Sequence, residues 1–278
     1  ITVIGGSGFI GTNFCQVLSE SKTPFEIIDL KISKRFPKNS KIGDVRDLYS
    51  LRETVSGDIV VNLAAVHRDD VKKPEEYYNT NVKGAENVIK ICRENNIKKI
   101  IFTSSVAVYG FAKPGTGEDG LINPFNDYGK TKFEAEQRLR EWQLEAENSL
   151  IVIRSTVVFG DGNRGNVFNL FNQIFSGKFV MIGPGNNEKS LAYIENIAAF
   201  LEHCLKKDID YAVINYLDTP NMDMNSLVSK VRNILNGKHG VGFRIPSWLG
   251  LLIGLVADFI SKTTKKSLPV SYIRVRKF

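Results

Sequence analysis

The sequence predicts an α/β protein, an open doubly wound parallel sheet with a smaller lobe towards its C-terminus. Three observations carry that expectation. An apolar run at residues 1–4 breaks into Gly5-Gly6-Ser7-Gly8 and passes at once into a helical pattern. Further apolar runs at 25–28, 58–63 and 99–103 are nearly continuous rather than alternating, as strands are when helices cover both faces of a sheet. Between them lie stretches whose apolar residues recur at helical spacing, and alternating strand and helix is the pattern of a parallel sheet with crossover helices.

The first of these segments is also the most informative chemically. Glycines 5, 8 and 11 are spaced G-x-x-G-x-x-G, which suits a tight turn out of a strand, a close approach of backbone to pyrophosphate, and close packing of helix on sheet. A phosphate there meets unpaired helix N–H groups and the positive end of the helix dipole. Phe9, Ile10, Phe14, Val17 and Leu18 follow at helical spacing, and Asp29 closes the second strand, where a carboxylate can accept both ribose hydroxyls and repel a 2′-phosphate. The expectation is a Rossmann-type site for NAD rather than NADP, with Gly5, Gly8, Phe9, Ile10 and Asp29 against the cofactor.

At 278 residues, with 42% hydrophobic and 24% charged residues, the chain suffices for one large domain and an appendage with a substantial core. The expected division is residues 1–160, with part of 190–215, as the nucleotide-binding domain, and a discontinuous 161–278 as mainly the substrate lobe. The formal net charge of +7 concentrates near the end of the chain, at Lys262, Lys265, Lys266, Arg274, Arg276 and Lys277, which argues against a nucleic-acid partner. Cys15, Cys92 and Cys204 sit within apolar helical patterns, far apart, so free core thiols in a reducing, cytoplasmic compartment are expected. Neither they nor the three scattered histidines have metal-ligand spacing, and no metal is expected.

After Asp29, the segment Ile42-Gly43-Asp44-Val45 admits two readings. Asp44 and Val45 sit where a carboxylate can accept the adenine amino group, or Asp44 is the N-cap of a helix over 46–55. The strand at 58–63 runs through Leu63 into Ala64-Ala65, small residues that let a flat ligand approach backbone at the sheet's carboxyl edge. His67, which follows, is expected to make ordinary polar contacts. Residues 74–95 read as a helix with a buried stripe of Tyr77, Val82, Ala85, Val88, Ile89 and Cys92, interrupted by Asn79 and Asn81, which must find hydrogen-bond partners.

The strand at 99–103 ends in Ser104-Ser105. A loop rich in glycine and proline then covers 111–126, long enough to expect function, before a helix opens at Asp127-Tyr128-Gly129-Lys130-Thr131-Lys132. Tyr128 and Lys132 share one helical face. A phenol near pKa 10 is a poor proton carrier at neutral pH, and a neighbouring ammonium lowers it.

Together these segments resemble the extended short-chain dehydrogenase/reductases, the NAD-dependent epimerase/dehydratases of nucleotide sugars, over roughly residues 1–215. The resemblance implies a catalytic set of Ser105, Tyr128 and Lys132, and cofactor contacts by Asp29, Asp44-Val45, Leu63, Ala64, Ala65, Tyr128 and Lys132. It also gives Asn81 the family's structural role beside the cofactor. Tyr128 would exchange a proton with a sugar hydroxyl, Ser105 would bind the same oxygen, and Lys132 would bind the nicotinamide ribose and lower the Tyr128 pKa. Dehydratases of this family carry Asp-Glu after the catalytic hydroxyl residue. Here Val106-Ala107 stands there, so elimination lacks its acid and base.

What remains is an NAD-retaining 4-epimerase of a UDP-hexose or UDP-N-acetylhexosamine. The rivals are an NAD(P)H-dependent reductase of a UDP-4-keto-6-deoxy sugar and, in another class, a non-catalytic NAD-binding sensor or scaffold. By resemblance Arg164, Asn166 and Lys189 contact substrate together with Ser105. Lys189 stands where the family has a diphosphate-gripping arginine, so the bidentate fork is lost. Ser155 replaces a proline, and Ser190 an acid. The resemblance also implies a homodimer built on helices near 80–95 and 128–147. The apolar stretch at 247–257 is too short to span a bilayer; burial against the lobe or a dimer partner is expected, with weak attachment to an anionic membrane surface as the alternative.

Overall fold

The computed structural model describes residues 1–67, 71, 73–264 and 272. The chain divides into two compact units, the first comprising Ile1–Gly162 and Leu191–Asp218, the second Asn163–Ser190 and the rest from Thr219.

In the first unit the chain runs through β1 (Thr2–Ile4), α1 (Phe9–Glu20), β2 (Glu26–Asp29), β3 (Ser40–Ile42), α2 (Leu48–Thr54) and β4 (Ile59–Asn62). A short α3 (Glu75–Tyr77), a π-helical turn over Tyr78–Lys83 and α4 (Gly84–Glu94) follow without a break. Then come β5 (Lys99–Ser105), α5 (Asp127–Glu145), β6 (Ser149–Ser155) and β7 (Val157–Phe159). After the second unit's first segment, β10 (Leu191–Tyr193), α7 (Ile194–Leu205) and β11 (Tyr211–Tyr216) complete it.

Seven strands form one parallel sheet in the order β11-β6-β5-β4-β1-β2-β3. The order reverses direction beside β1, where an open α/β sheet leaves a crevice at its carboxyl edge. Successive residues of each strand point to opposite faces. One face joins Val3, Ile27, Val61, Ile101 and Ile151 to Phe14, Leu18 and Leu201 of α1 and α7. The other joins Ile4, Ile28, Val60, Ile100 and Leu150 to Val88, Leu139 and Trp142 of α4 and α5. The sheet is doubly wound, as the apolar strand pattern predicted. Cys15, Cys92 and Cys204 are buried free thiols, and burial pushes them up to about 12, about 12 and about 11.

The helical stripe from Tyr77 to Cys92 is buried as expected, but the π turn at its start had no signal in the apolar spacing. At α2 the reading of Asp44 as an N-cap is corrected. The helix opens at Leu48, and Asp47 accepts from Tyr49 N at 3.0 Å. Asp44 instead accepts from its neighbour Arg46, from Nε at 2.9 Å and Nη2 at 2.6 Å. Those bonds hold its carboxyl below the usual carboxylate range against the cost of burial.

The second unit contains α6 (Asn166–Phe175), β8 (Met181–Ile182), β9 (Glu188–Lys189), β12 (Met222–Asp223), α8 (Met224–Asn236), β13 (Arg244–Ile245) and α9 (Ser247–Thr264). β9 pairs antiparallel with β12, and β8 parallel with β13. Asp223 caps α8 by accepting from Ser226 N at 2.7 Å, and Gly237 ends it in the left-handed region. The expected burial of α9 is met on one face only: Gly250, Gly254 and Ala257 are buried, while Trp248, Leu252, Leu255, Val256 and Phe259 are exposed.

Candidate active site

The turn after β1 is built so that side chains would obstruct it. Gly5 has φ +79°, and a Cβ there would lie 2.7 Å from the backbone nitrogen of Ala64. A Cβ on Gly11 would meet the Gly5 carbonyl at 2.5 Å, so the two glycines let α1 descend onto the turn. Gly8 is exposed and caps α1 without any side-chain hydrogen bond. No side chain among the described residues caps the first turn of α1, at Phe9 and Ile10, the arrangement an anion completes. Asp29 accepts from Ser7 N at 2.9 Å, which fixes the turn beside the sheet's carboxyl edge.

Sheet register places the other predicted cofactor residues on the same edge. Ile4 pairs with Ile28 and with Asn62, and Asn62 with Phe102; the segments leaving these strands are the glycine turn, Asp29, Leu63-Ala64-Ala65 and Ser105. Leu63 N donates to Ile4 O at 2.9 Å. Asn81, on the π turn, holds this edge together. Its Oδ1 accepts from Val66 N at 2.9 Å, and its Nδ2 donates to Val66 O at 3.2 Å and to Thr131 Oγ1 at 3.0 Å. Its amide is thereby spent on protein, tying the loop after β4 to α5. Asn79 is exposed. Val45 is buried, and its carbonyl accepts from Asn87 Nδ2 at 2.8 Å, an anchor between the loop after β3 and α4.

Beyond β5, Ser105 caps the short 3₁₀ turn Val106–Tyr109, its Oγ accepting from Ala107 N at 3.2 Å. Asn126 caps α5 by accepting from Gly129 N at 2.9 Å. Gly129 has no room for a side chain, because its Cβ would come within 2.5 Å of the Ala107 carbonyl. That close approach brings Tyr128 to Ser105, which hydrogen-bonds its phenol. Burial pushes the Tyr128 phenol up, and the Ser105 bond opposes this.

Lys132 lies one helical turn on, 1% exposed, with Nζ 4.0 Å from the centroid of the Phe102 ring. No polar group among the described residues accepts from that Nζ. Burial pulls Lys132 down to about 7, opposed by the charge of Glu136. The expectation that Lys132 lowers the Tyr128 pKa therefore meets a different arrangement. The ammonium sits over an aromatic face, and the phenol is moved upward by burial. A buried ammonium lacking an acceptor is costly, and a ribose hydroxyl is a fitting one. Glycines without Cβ space, an uncapped α1 and this orphaned Nζ together fit a dinucleotide.

Sequence reasoning passed over the support behind Lys132. Glu136 follows it by four residues and forms a buried ion pair with Arg154 of β6, Nη2 to Oε2 2.7 Å. Arg154 Nη1 also donates to Tyr109 Oη at 2.6 Å, and Tyr109 to Asn215 Oδ1 at 2.9 Å. Burial draws Arg154 down, but Glu136 and Tyr109 carry it above its ordinary value. The signal available was an arginine inside an apolar strand with an acid two helical turns beyond Tyr128. In the second unit Arg164 and Asn166 are exposed around the start of α6, and Lys189 is half-buried in β9. Asn187, two residues before Lys189, has both side-chain amide atoms shielded from solvent without a partner among the described residues.

Comparison with known proteins agrees with this architecture. The model of the NAD dependent epimerase/dehydratase family matches residues 1–215. The N-acetyl-α-D-glucosaminyl-diphospho-ditrans,octacis-undecaprenol 4-epimerase of Escherichia coli O157:H7 is 46% identical, over 100% of this chain and 85% of its own. A UDP-glucose 4-epimerase of Lactobacillus helveticus is 27% identical over 93% of this chain and 88% of its own. Among solved structures, the UDP-N-acetylglucosamine 4-epimerase from Bacillus cereus superposes with a TM-score of 0.78 at 20% identity, covering 88% of this chain and 84% of that one, a likeness of fold. The chain belongs to the NAD-dependent epimerase/dehydratase family.

Proposed function

We propose that this protein is an NAD-dependent 4-epimerase of an N-acetylhexosamine carried on a diphosphate, with a polyprenol as the carrier. The observation that carries the reading is 46% identity, along the whole chain, to an epimerase whose named substrate is such a lipid-linked sugar. UDP as the carrier is the second reading, supported by the UDP-glucose 4-epimerase at 27% identity.

When bound, NAD supplies a reversible hydride acceptor for the sugar carbon that changes configuration. The chain's own residues bind, orient and move the proton. The uncapped start of α1 at Gly8, Phe9 and Ile10 takes the pyrophosphate, with Gly5 making room. Asp29 takes the adenosine ribose, Asp44 and Val45 border the adenine, and Leu63, Ala64 and Ala65 flank the cofactor from β4, with Asn81 holding their loop. Lys132 donates to the nicotinamide ribose. Tyr128 carries the proton of the sugar hydroxyl, and Ser105 hydrogen-bonds that oxygen. Arg164, Asn166 and Lys189 bind the sugar diphosphate.

The test is incubation of purified protein with N-acetylglucosaminyl diphosphoundecaprenol and, separately, UDP-N-acetylglucosamine, without added cofactor. Formation of the 4-epimer supports the epimerase, and the better substrate identifies the carrier. Strict need for NADH or NADPH makes the protein a reductase instead. Tyr128→Phe should lower turnover about 10²–10⁴-fold, the usual contribution of a proton-transfer group, while NAD binding survives. Turnover near wild type in that variant removes Tyr128 from the chemistry.

A further inference from the structure

Helix α9 is packed the wrong way round for a water-facing lobe. Its buried stripe is Gly250, Gly254 and Ala257, spaced by four and three residues, so the covered face of the helix is nearly bare backbone. Its bulk points outward: Trp248 is 67% exposed, Leu252 51%, Leu255 53%, Val256 51% and Phe259 69%. At 3.6 residues per turn these five fall within an arc of about 100° opposite the glycine stripe. A contiguous apolar face of this kind marks a site of association. The residues after Asp258 contain six basic side chains, Lys262, Lys265, Lys266, Arg274, Arg276 and Lys277, and no acid.

We infer that α9 and the basic segment after it seat the protein on an anionic lipid surface, with the helix lying in the interface plane. No helix among the described residues is long and apolar enough to cross a membrane, which leaves the in-plane mode for an apolar helix face flanked by cations. Charge complementarity selects the occupant. Phospholipid headgroups of negative charge attract such a segment, whereas a second copy docked through α9 would bring two like-charged segments together. The docking rests on the exposed face and the charge; only its purpose, delivery of the enzyme to a diphosphate sugar anchored by a polyprenol, rests on the function proposed above.

The full chain carries its own reporter. Of two tryptophans, Trp142 is buried in the core and Trp248 is on the exposed face of α9. Vesicles of phosphatidylcholine with phosphatidylglycerol should sediment the protein and shift its fluorescence to the blue, and vesicles of phosphatidylcholine alone should do so far less. The triple variant Leu252→Gln, Val256→Gln, Phe259→Gln should lose at least about tenfold in partitioning. Lys265→Gln with Lys266→Gln should lose about fivefold per charge. Neither set should alter turnover of water-soluble UDP-N-acetylglucosamine if that sugar is accepted.

Absence of binding to the anionic vesicles, or equal binding by the triple variant, overturns the inference. So does a dimer, seen by light scattering, that the triple variant dissociates while vesicles capture neither form. If vesicles bind but only the UDP-sugar is epimerised, the docking stands and the lipid-carrier reading falls.

Discussion

Gly129→Ala tests the active-site geometry most sharply, because the added atom meets backbone rather than a side chain that can swing away. Its Cβ would lie 2.5 Å from the Ala107 carbonyl oxygen, roughly 0.9 Å inside the 3.4 Å at which ordinary van der Waals contact begins. Relief requires the first turn of α5 to withdraw from the 3₁₀ turn, and Tyr128 moves with α5 while Ser105 stays on β5. A misplacement of about 1 Å costs on the order of 10²-fold in rate. Stability should change far less, because overpacking of about 1–3 kcal/mol is offset by the roughly 0.5–1 kcal/mol that alanine gains over glycine in a helix. The assay is the initial rate of 4-epimer formation, with NAD binding and Tm measured on the same preparation. Lys130→Ala, at an exposed position on the same turn, is the control and should be near wild type. Turnover of Gly129→Ala within about threefold of wild type, or a loss matched by the control, refutes the argument that this contact sets Tyr128 against Ser105.

Asp29→Ala should relax selection against NADP, read as a rise in NADP affinity relative to NAD; an unchanged ratio removes Asp29 from the ribose site. Lys132→Met should abolish turnover yet raise Tm at neutral pH by removing an ammonium buried without an acceptor among the described residues. The folded Lys132 titrates at about 7 and the unfolded lysine near 10.4. The unfolded state therefore holds the extra proton between those values, and the wild type gains stability as pH rises from 7 to 10. The variant should lack this gain, and a matching rise in Lys132→Met would show that another group is responsible. Glu136→Ala, which leaves Arg154 buried without its carboxylate, should cost about 3–5 kcal/mol in denaturant unfolding. Adding Arg154→Met should recover part of that loss, and strictly additive losses would mean the pair is not coupled.

The fold and the elements that bear the site were legible because both are encoded by local spacing. Continuous apolar runs specify strands covered on both faces, and their alternation with helical stretches specifies parallel order. Gly5, Gly8 and Gly11 mark a turn that excludes side chains, and Tyr128 with Lys132 share a helical face at any tertiary placement. Asp44 was ambiguous for a related reason. Two carboxylates three residues apart can each cap α2, and only the local backbone decides that Asp47 caps while Asp44 takes Arg46.

By itself, then, the sequence determined the doubly wound sheet, the glycine cradle and the Tyr-x-x-x-Lys helix, because each is a periodicity or a steric requirement readable within about twenty residues. Tertiary structure alone decided what those groups meet. Lys132 sits over Phe102 with no acceptor among the described residues, Asn81 joins Val66 to Thr131, Glu136 pairs with Arg154, and Gly129 lies against Ala107. These partners are separated by 15 to 50 residues along the chain, where neither periodicity nor spacing carries a signal. The same holds for α9. Its composition reads as a buried helix, and only packing shows that its glycine stripe faces inward and its bulk faces out.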